Sequence, residues 1–127
     1  MQYLLDTNIF LWSLNGDKKL KDGIKEIIKD SKNQIFVSIA SAWEISIKNR
    51  AGKLPLKITL SKCFEIAGFK ILDIKLIHVL EFDKLSLRKN HRDPFDRILV
   101  SQARAEHLTF VTTDKKIWKY NLSLLKA

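Results

Sequence analysis

The stretch QYLLDTNIFLW, residues 2–12, decides how the rest of the chain is read. Tyr3, Leu4 and Leu5 form a short apolar run that suits a buried strand, and the run stops on an acid, Asp6. Thr7-Asn8 follows, and residues 8–14 suit a helix closed by Asn15-Gly16. A strand that ends on a carboxylate and passes straight into a helix is how an α/β unit begins. Asp6 is then either the cap of that helix or a group displayed at the edge of a sheet.

The same order of strand, acid and helix recurs. Leu20, Ile24, Ile27 and Ile28 lie at helical spacing among lysines, which predicts an amphipathic surface helix over 19–32. QIFVS, residues 34–38, predicts a second strand. Ser38 then caps a helix that runs to about Arg50 and stops near Gly52, with Pro55 confirming the break. A shorter helix is expected over 59–68, a third strand in KILDI and another helix over 75–82. KNHRD, residues 89–93, reads as a polar turn. Asp93 caps and Pro94 opens a helix to Glu106, with Phe95, Ile98, Leu99 and Ala103 available to the core. HLTFVTTD, residues 107–114, predicts a fourth strand, again ending on an acid; the tail predicts a helical turn and an edge strand. Together these predict an α/β fold: three layers, α/β/α, with a mainly parallel central sheet of four to five short strands, in one domain over 1–127.

Composition agrees with a packed domain. The 127 residues are 46% hydrophobic and 29% charged. No apolar run approaches ~18 residues, so no membrane span is expected. The start lacks a basic leader, so no signal peptide is expected and the cytoplasm is the default location. Cys63 is the only cysteine, which leaves no internal disulfide. The net charge of +9 suits a polyanionic partner such as nucleic acid, and suits plain solubility equally well.

The acids carry the chemistry. Asp6 and Asp114 follow predicted strands, where ligands bind in open α/β sheets. Glu44 lies in the second turn of one helix and Asp96 in the first turn of another. Right-handed crossovers bring such residues to one end of a sheet. Clustered carboxylates repel one another, and a cation removes that penalty. Oxygen donors point to a hard divalent ion, Mg²⁺ or Mn²⁺; His78, His91 and His107 lack ligand spacing, which disfavours zinc. Such a centre suits phosphodiester hydrolysis. Each acid also has a plainer reading: Asp6, Asp93 and Asp114 as caps, Glu44 as an exposed glutamate, Asp96 as a complement to a helix dipole.

Four motifs in order give the chain a family resemblance. YLLDTNIFLW, SIASAWEISIKNRAGKL, HRDPFDRILVSQA and TFVTTD resemble the acidic motifs of PIN-domain toxins of type II toxin–antitoxin pairs, the VapC-like ribonucleases, in the subgroup with a DPFDR-type segment. The resemblance covers nearly the whole chain and places the family's acids at Asp6, Glu44, Asp96 and Asp114, with Asp93 as the subgroup's additional acid. It implies a Mg²⁺- or Mn²⁺-dependent endoribonuclease and a homodimer. It also implies a cognate antitoxin that joins it in a complex on operator DNA.

Around those acids, Thr7, Asn8, Ser38, Thr112 and Thr113 are candidates to orient carboxylates, or else to cap helices. Arg92, Arg97, Arg104, Lys48, Arg50 and Lys53 are candidates for RNA phosphate contact, or else solvated charges. Trp43 and Phe95 sit in apolar helical patterns and are expected in the core, with base stacking as the alternative. Competing functions are a DNA nuclease and a non-catalytic module that binds nucleic acid or a partner.

Overall fold

The computed structural model describes residues 1–85 and 93–127. Strand β1 (Gln2–Leu5) leads into α1 (Thr7–Asn15) and α2 (Asp22–Lys29). Then come β2 (Gln34–Ser38), α3 (Ile39–Arg50), α4 (Leu60–Ala67) and β3 (Lys70–Leu72). Next are α5 (Leu76–Lys84), α6 (Pro94–Ala105) and β4 (Thr109–Thr112). A 3₁₀ turn (Ile117–Lys119) and β5 (Leu124–Lys126) finish the chain. The strands form one sheet in the order β3-β2-β1-β4-β5, and every pairing is parallel.

Alternation along the strands feeds two cores. Tyr3 and Leu5 of β1, Ile35 and Val37 of β2 and Val111 of β4 face one side. There they meet Ile9, Phe10 and Leu11 of α1, Ile24 of α2 and Ile45 of α3, with Leu60 and Phe64 of α4 packed against them. Leu4, Phe36 and Phe110 face the other side and meet Leu99, Val100 and Ala103 of α6 and Ile117 and Tyr120 of the tail. Helical layers on both faces of a five-stranded parallel sheet give the three-layer α/β/α architecture that the sequence predicts.

Chain order and sheet order part company once. The chain moves outward from β1 through β2 to β3, then returns through α5 and α6 to place β4 on the other side of β1. Adjacent parallel strands whose connections diverge leave a crevice at their carboxyl ends. Asp6 stands at the end of β1 and Asp114 just beyond β4. The backbone N–H of Asp6 donates to the carbonyl of Val111 (3.0 Å), which fixes the first acid against β4.

The helix over 19–32 needs correction. Asp17 accepts from the Lys19 backbone N–H (2.9 Å) and Asp30 from that of Lys32 (2.9 Å), so turns claim both ends and α2 is confined to Asp22–Lys29. Most of the polar turn at 89–93 lies outside the described residues. Among the described residues, no helix is long and apolar enough to cross a membrane.

Candidate metal-binding site

Asp6 is buried and holds α1 by its cap position. Its Oδ1 accepts from the Thr7 backbone N–H (2.7 Å), and its Oδ2 accepts from the Thr112 hydroxyl (2.6 Å). Thr112, itself fully buried, accepts from the backbone N–H of Asp114 (3.0 Å). One threonine therefore ties the acid after β1 to the acid after β4. Asp114 also caps its own turn, with Oδ1 accepting from the Lys116 backbone N–H (2.9 Å).

Glu44 comes from α3 and is 5% exposed rather than solvated. Its Oε1 accepts from the Thr7 hydroxyl (2.7 Å), which lies 2.9 Å from Ser41 Oγ. Its Oε2 accepts from the Lys48 ammonium (2.8 Å) one helical turn further on. The Glu44–Lys48 spacing is that of a helical ion pair, the one signal in the sequence that could have revealed this partner. Ser41 carried no such signal.

Asp96 lies in the first turn of α6, half-buried, and Asp93 caps that helix by accepting from the Phe95 backbone N–H (2.9 Å). Electrostatics show that the acids share one neighbourhood. Burial pushes the Asp96 carboxyl up to about 8, and the charges of Asp6, Asp93, Glu44 and Asp114 add to the rise. Burial also lifts Asp6 to about 6; the Thr112 and Thr7 hydrogen bonds oppose the rise, while Glu44 and Asp114 reinforce it. Asp6, Glu44, Asp96 and Asp114 are thus brought together from four parts of the chain.

The donor set is oxygen only, partly dry and overcharged, which fits a hard divalent cation in type and charge. The side-chain arrangement is less complete. Among the described residues, no three His, Cys, Asp or Glu side chains form a ready-made metal cage. Asp6 and Glu44 are instead turned onto Thr7, Thr112 and Lys48.

Other candidates divide sharply. Thr7 and Thr112 touch the carboxylates. Ser38 does not: its hydroxyl caps α3 and donates to Gln102 Oε1 (2.5 Å). Asn8 is exposed and Thr113 half-buried, and neither side chain joins these hydrogen bonds. Arg97 cannot serve as a surface contact for phosphate. It is 5% exposed, donates to Tyr120 Oη (3.0 Å) and the Leu85 carbonyl (3.4 Å), and lies over the Phe82 ring. Arg104 is paired with Glu81 (2.9 Å), two helical turns beyond Asp96. Arg50 and Lys53 are exposed, and Arg92 lies outside the described residues. Trp43 overturns its expected place in the core: it is 60% exposed and meets half-buried Phe95 edge-on at 5.2 Å.

The chain matches the PIN domain family over residues 3–121. It is 55% identical over 31 residues to the ribonuclease VapC16 of Mycobacterium tuberculosis, a match that covers 24% of this chain and 22% of that protein. The chain thus aligns with about a fifth of that curated relative. Among solved structures it resembles VapBC2 of Rickettsia felis bound to a promoter DNA fragment, with a TM-score of 0.71 and 22% identity, over 99% of this chain and 98% of that one. DNA-bound VapBC of Salmonella typhimurium gives a TM-score of 0.71 at 13% identity over the same shares. A toxin–antitoxin complex of Klebsiella pneumoniae gives 0.64 at 17% identity, over 98% of this chain and 96% of that one. At these identities the structural likeness is one of fold.

Proposed function

This chain belongs to the PIN domain family, and on that premise we propose that it is a Mg²⁺- or Mn²⁺-dependent endoribonuclease, the toxin of a type II toxin–antitoxin pair. The observation that carries the reading is the gathering of Asp6, Glu44, Asp96 and Asp114 where burial and mutual charge drive Asp96 up to about 8. Such a cluster costs stability at neutral pH unless protons or cations offset its charge. Asp6, Glu44 and Asp96 would hold the ion, and Asp114 would reach it directly or through water; Asp93 remains a cap first. The bound ion supplies Lewis acidity, which acidifies water and offsets charge growing on the phosphoryl oxygens.

The chain's own residues supply the rest. Thr112 holds Asp6 Oδ2 and the Asp114 backbone in fixed relation, and Thr7 holds Glu44 Oε1. The exposed lysines and Arg50 give RNA a cationic surface without reading its sequence. The solved VapBC and toxin–antitoxin complexes, two of them DNA-bound, support a cognate antitoxin that joins this chain on operator DNA; the homodimer is what the family resemblance implies. One soluble domain acting in the cytoplasm is consistent with that reading.

The test compares cleavage of matched RNA and DNA by the wild type and by Asp6→Asn, Glu44→Gln and Asp96→Asn, with and without EDTA. RNA cleavage should be abolished by EDTA and fall at least ~100-fold in each variant. Equal RNA cleavage in folded wild type and variants defeats the assignment. Cleavage of DNA alone would establish the competing nuclease.

A further inference from the structure

Lys48 is the one basic side chain that reaches into the acid cluster by a hydrogen bond to a buried acid among the described residues. Its stem is half exposed, yet its ammonium lies 2.8 Å from Oε2 of Glu44, which is itself 5% exposed. The charges of Asp93 and Asp96 act on the same ammonium. Glu44 Oε1 is already taken by Thr7, so Lys48 holds the remaining oxygen. A compact ammonium on a flexible stem can leave without moving the backbone, unlike a planar guanidinium packed among rings.

We propose that Lys48 is the resident counter-ion of Glu44 within the acid cluster, and that a divalent ion takes Glu44 by displacing the Lys48 ammonium. This rests on the metal-dependent reading above and adds an exchange to it. Lys48 neutralises Glu44 while the chain folds, and yields Oε2 when the stronger cation arrives. Lys48 is a positioning residue here: it acts through Glu44. The ammonium that leaves stays tethered at the rim of the site.

The test is Mn²⁺ binding to the purified full chain at pH 8, read by electron paramagnetic resonance of free Mn²⁺, with no RNA present. Lys48→Met, which keeps most of the stem and removes the charge, should bind Mn²⁺ about tenfold more tightly. Lys48→Arg should stay within about threefold of wild type because it retains a competing cation. Lys48→Gln, neutral but still able to donate to Glu44, repeats the comparison if the methionine variant folds poorly. A second readout separates exchange from a structural role. The methionine variant should unfold at lower urea than wild type in EDTA, and the gap should close in saturating Mn²⁺. Equal or weaker Mn²⁺ binding by both folded neutral variants, or a gap that Mn²⁺ leaves unchanged, overturns the exchange while the metal reading stands. Absence of Mn²⁺ binding in wild type and variants alike, at millimolar ion, overturns the metal reading and the exchange with it.

Discussion

Asp96 has its ionisation displaced by burial first, and then by the charges of Asp6, Asp93, Glu44 and Asp114. Its carboxyl ionises at about 8 in the folded chain against 3.8 for an ordinary aspartate, and Asp6 at about 6. Both folded values are raised, so the folded chain holds protons that the unfolded chain has released. The stabilising effect is complete below about pH 4 and is lost as pH rises, through about 6 for Asp6 and about 8 for Asp96. Metal-free protein should therefore lose stability steadily between pH 4.5 and 8.5, in urea titrations with EDTA. Asp96→Asn removes the largest contributor and should be more stable than wild type at pH 8.5 by about 2 kcal/mol, with little difference at pH 4.5. A variant less stable than wild type at pH 8.5 would show that the repulsion is already relieved. Arg97 makes the opposite case. Its guanidinium is buried on Tyr120, Leu85 and Phe82, so Arg97→Ala should cost about 3 kcal/mol of stability, measured by the same titration, through the partners it strands. An unchanged urea midpoint combined with weakened RNA binding would return Arg97 to the surface role that its sequence position suggests.

At the scale of elements, helix starts decide where the acids point. Asp6, Ser38 and Asp93 each accept a backbone N–H at the start of a helix: α1, α3 and α6. For Asp93 the cap and the metal can be separated. Asp93→Ala should cost about 1 kcal/mol and Asp93→Ser very little, because serine caps nearly as well. Mn²⁺ affinity should hold in Asp93→Ser; a drop of more than about tenfold, beyond the loss of one nearby charge, would make Asp93 a ligand. These starts were legible in the sequence because caps are local: a Ser, Asp or Pro before an apolar-periodic run specifies its own geometry. The ends were legible where Gly16 and Gly68 close α1 and α4 in the left-handed region. Turns hidden at Asp17 and Asp30 were not, because periodicity alone does not say where it stops being helical. Trp43 was misread for a related reason. An apolar residue in an apolar helix looks buried, but α3 packs against β2, α1, α4 and α6 on only part of its circumference, which leaves Ile39, Trp43 and Ile47 exposed along one stripe. Buried arginines such as Arg97 escape sequence reading altogether, since only the tertiary partner shows that the charge is enclosed.

Over the whole molecule, strand order is what makes the acids a set. Asp6 and Asp114 are 108 positions apart in the chain but flank adjacent strands, joined through Thr112. Glu44 arrives on α3, before the chain reaches β3, and Asp96 on α6, within the return that carries the chain from β3 to β4. The sequence could place Asp6, Asp96 and Asp114 at element ends and Glu44 in the second turn of a helix; only the β3-β2-β1-β4-β5 order brings them together. A charge cluster assembled by the fold couples ion binding to folding itself. A divalent ion that binds the folded chain alone should raise its unfolding free energy by about 2.7 kcal/mol at a hundredfold excess over its dissociation constant. Protons compete for the same oxygens, most strongly on Asp96. The stabilisation by a fixed Mn²⁺ concentration should therefore be small at pH 6, where Asp96 retains its proton, and should grow as pH passes about 8. Thermal unfolding across that range, with Ca²⁺ as a larger oxygen-seeking ion for comparison, measures the coupling directly. A shift independent of pH would place the ion elsewhere on the surface. A shift that tracks pH and disappears in Asp96→Asn would place it among these carboxylates, because Asp96 holds its proton up to about 8 and its neighbour Asp6 to about 6.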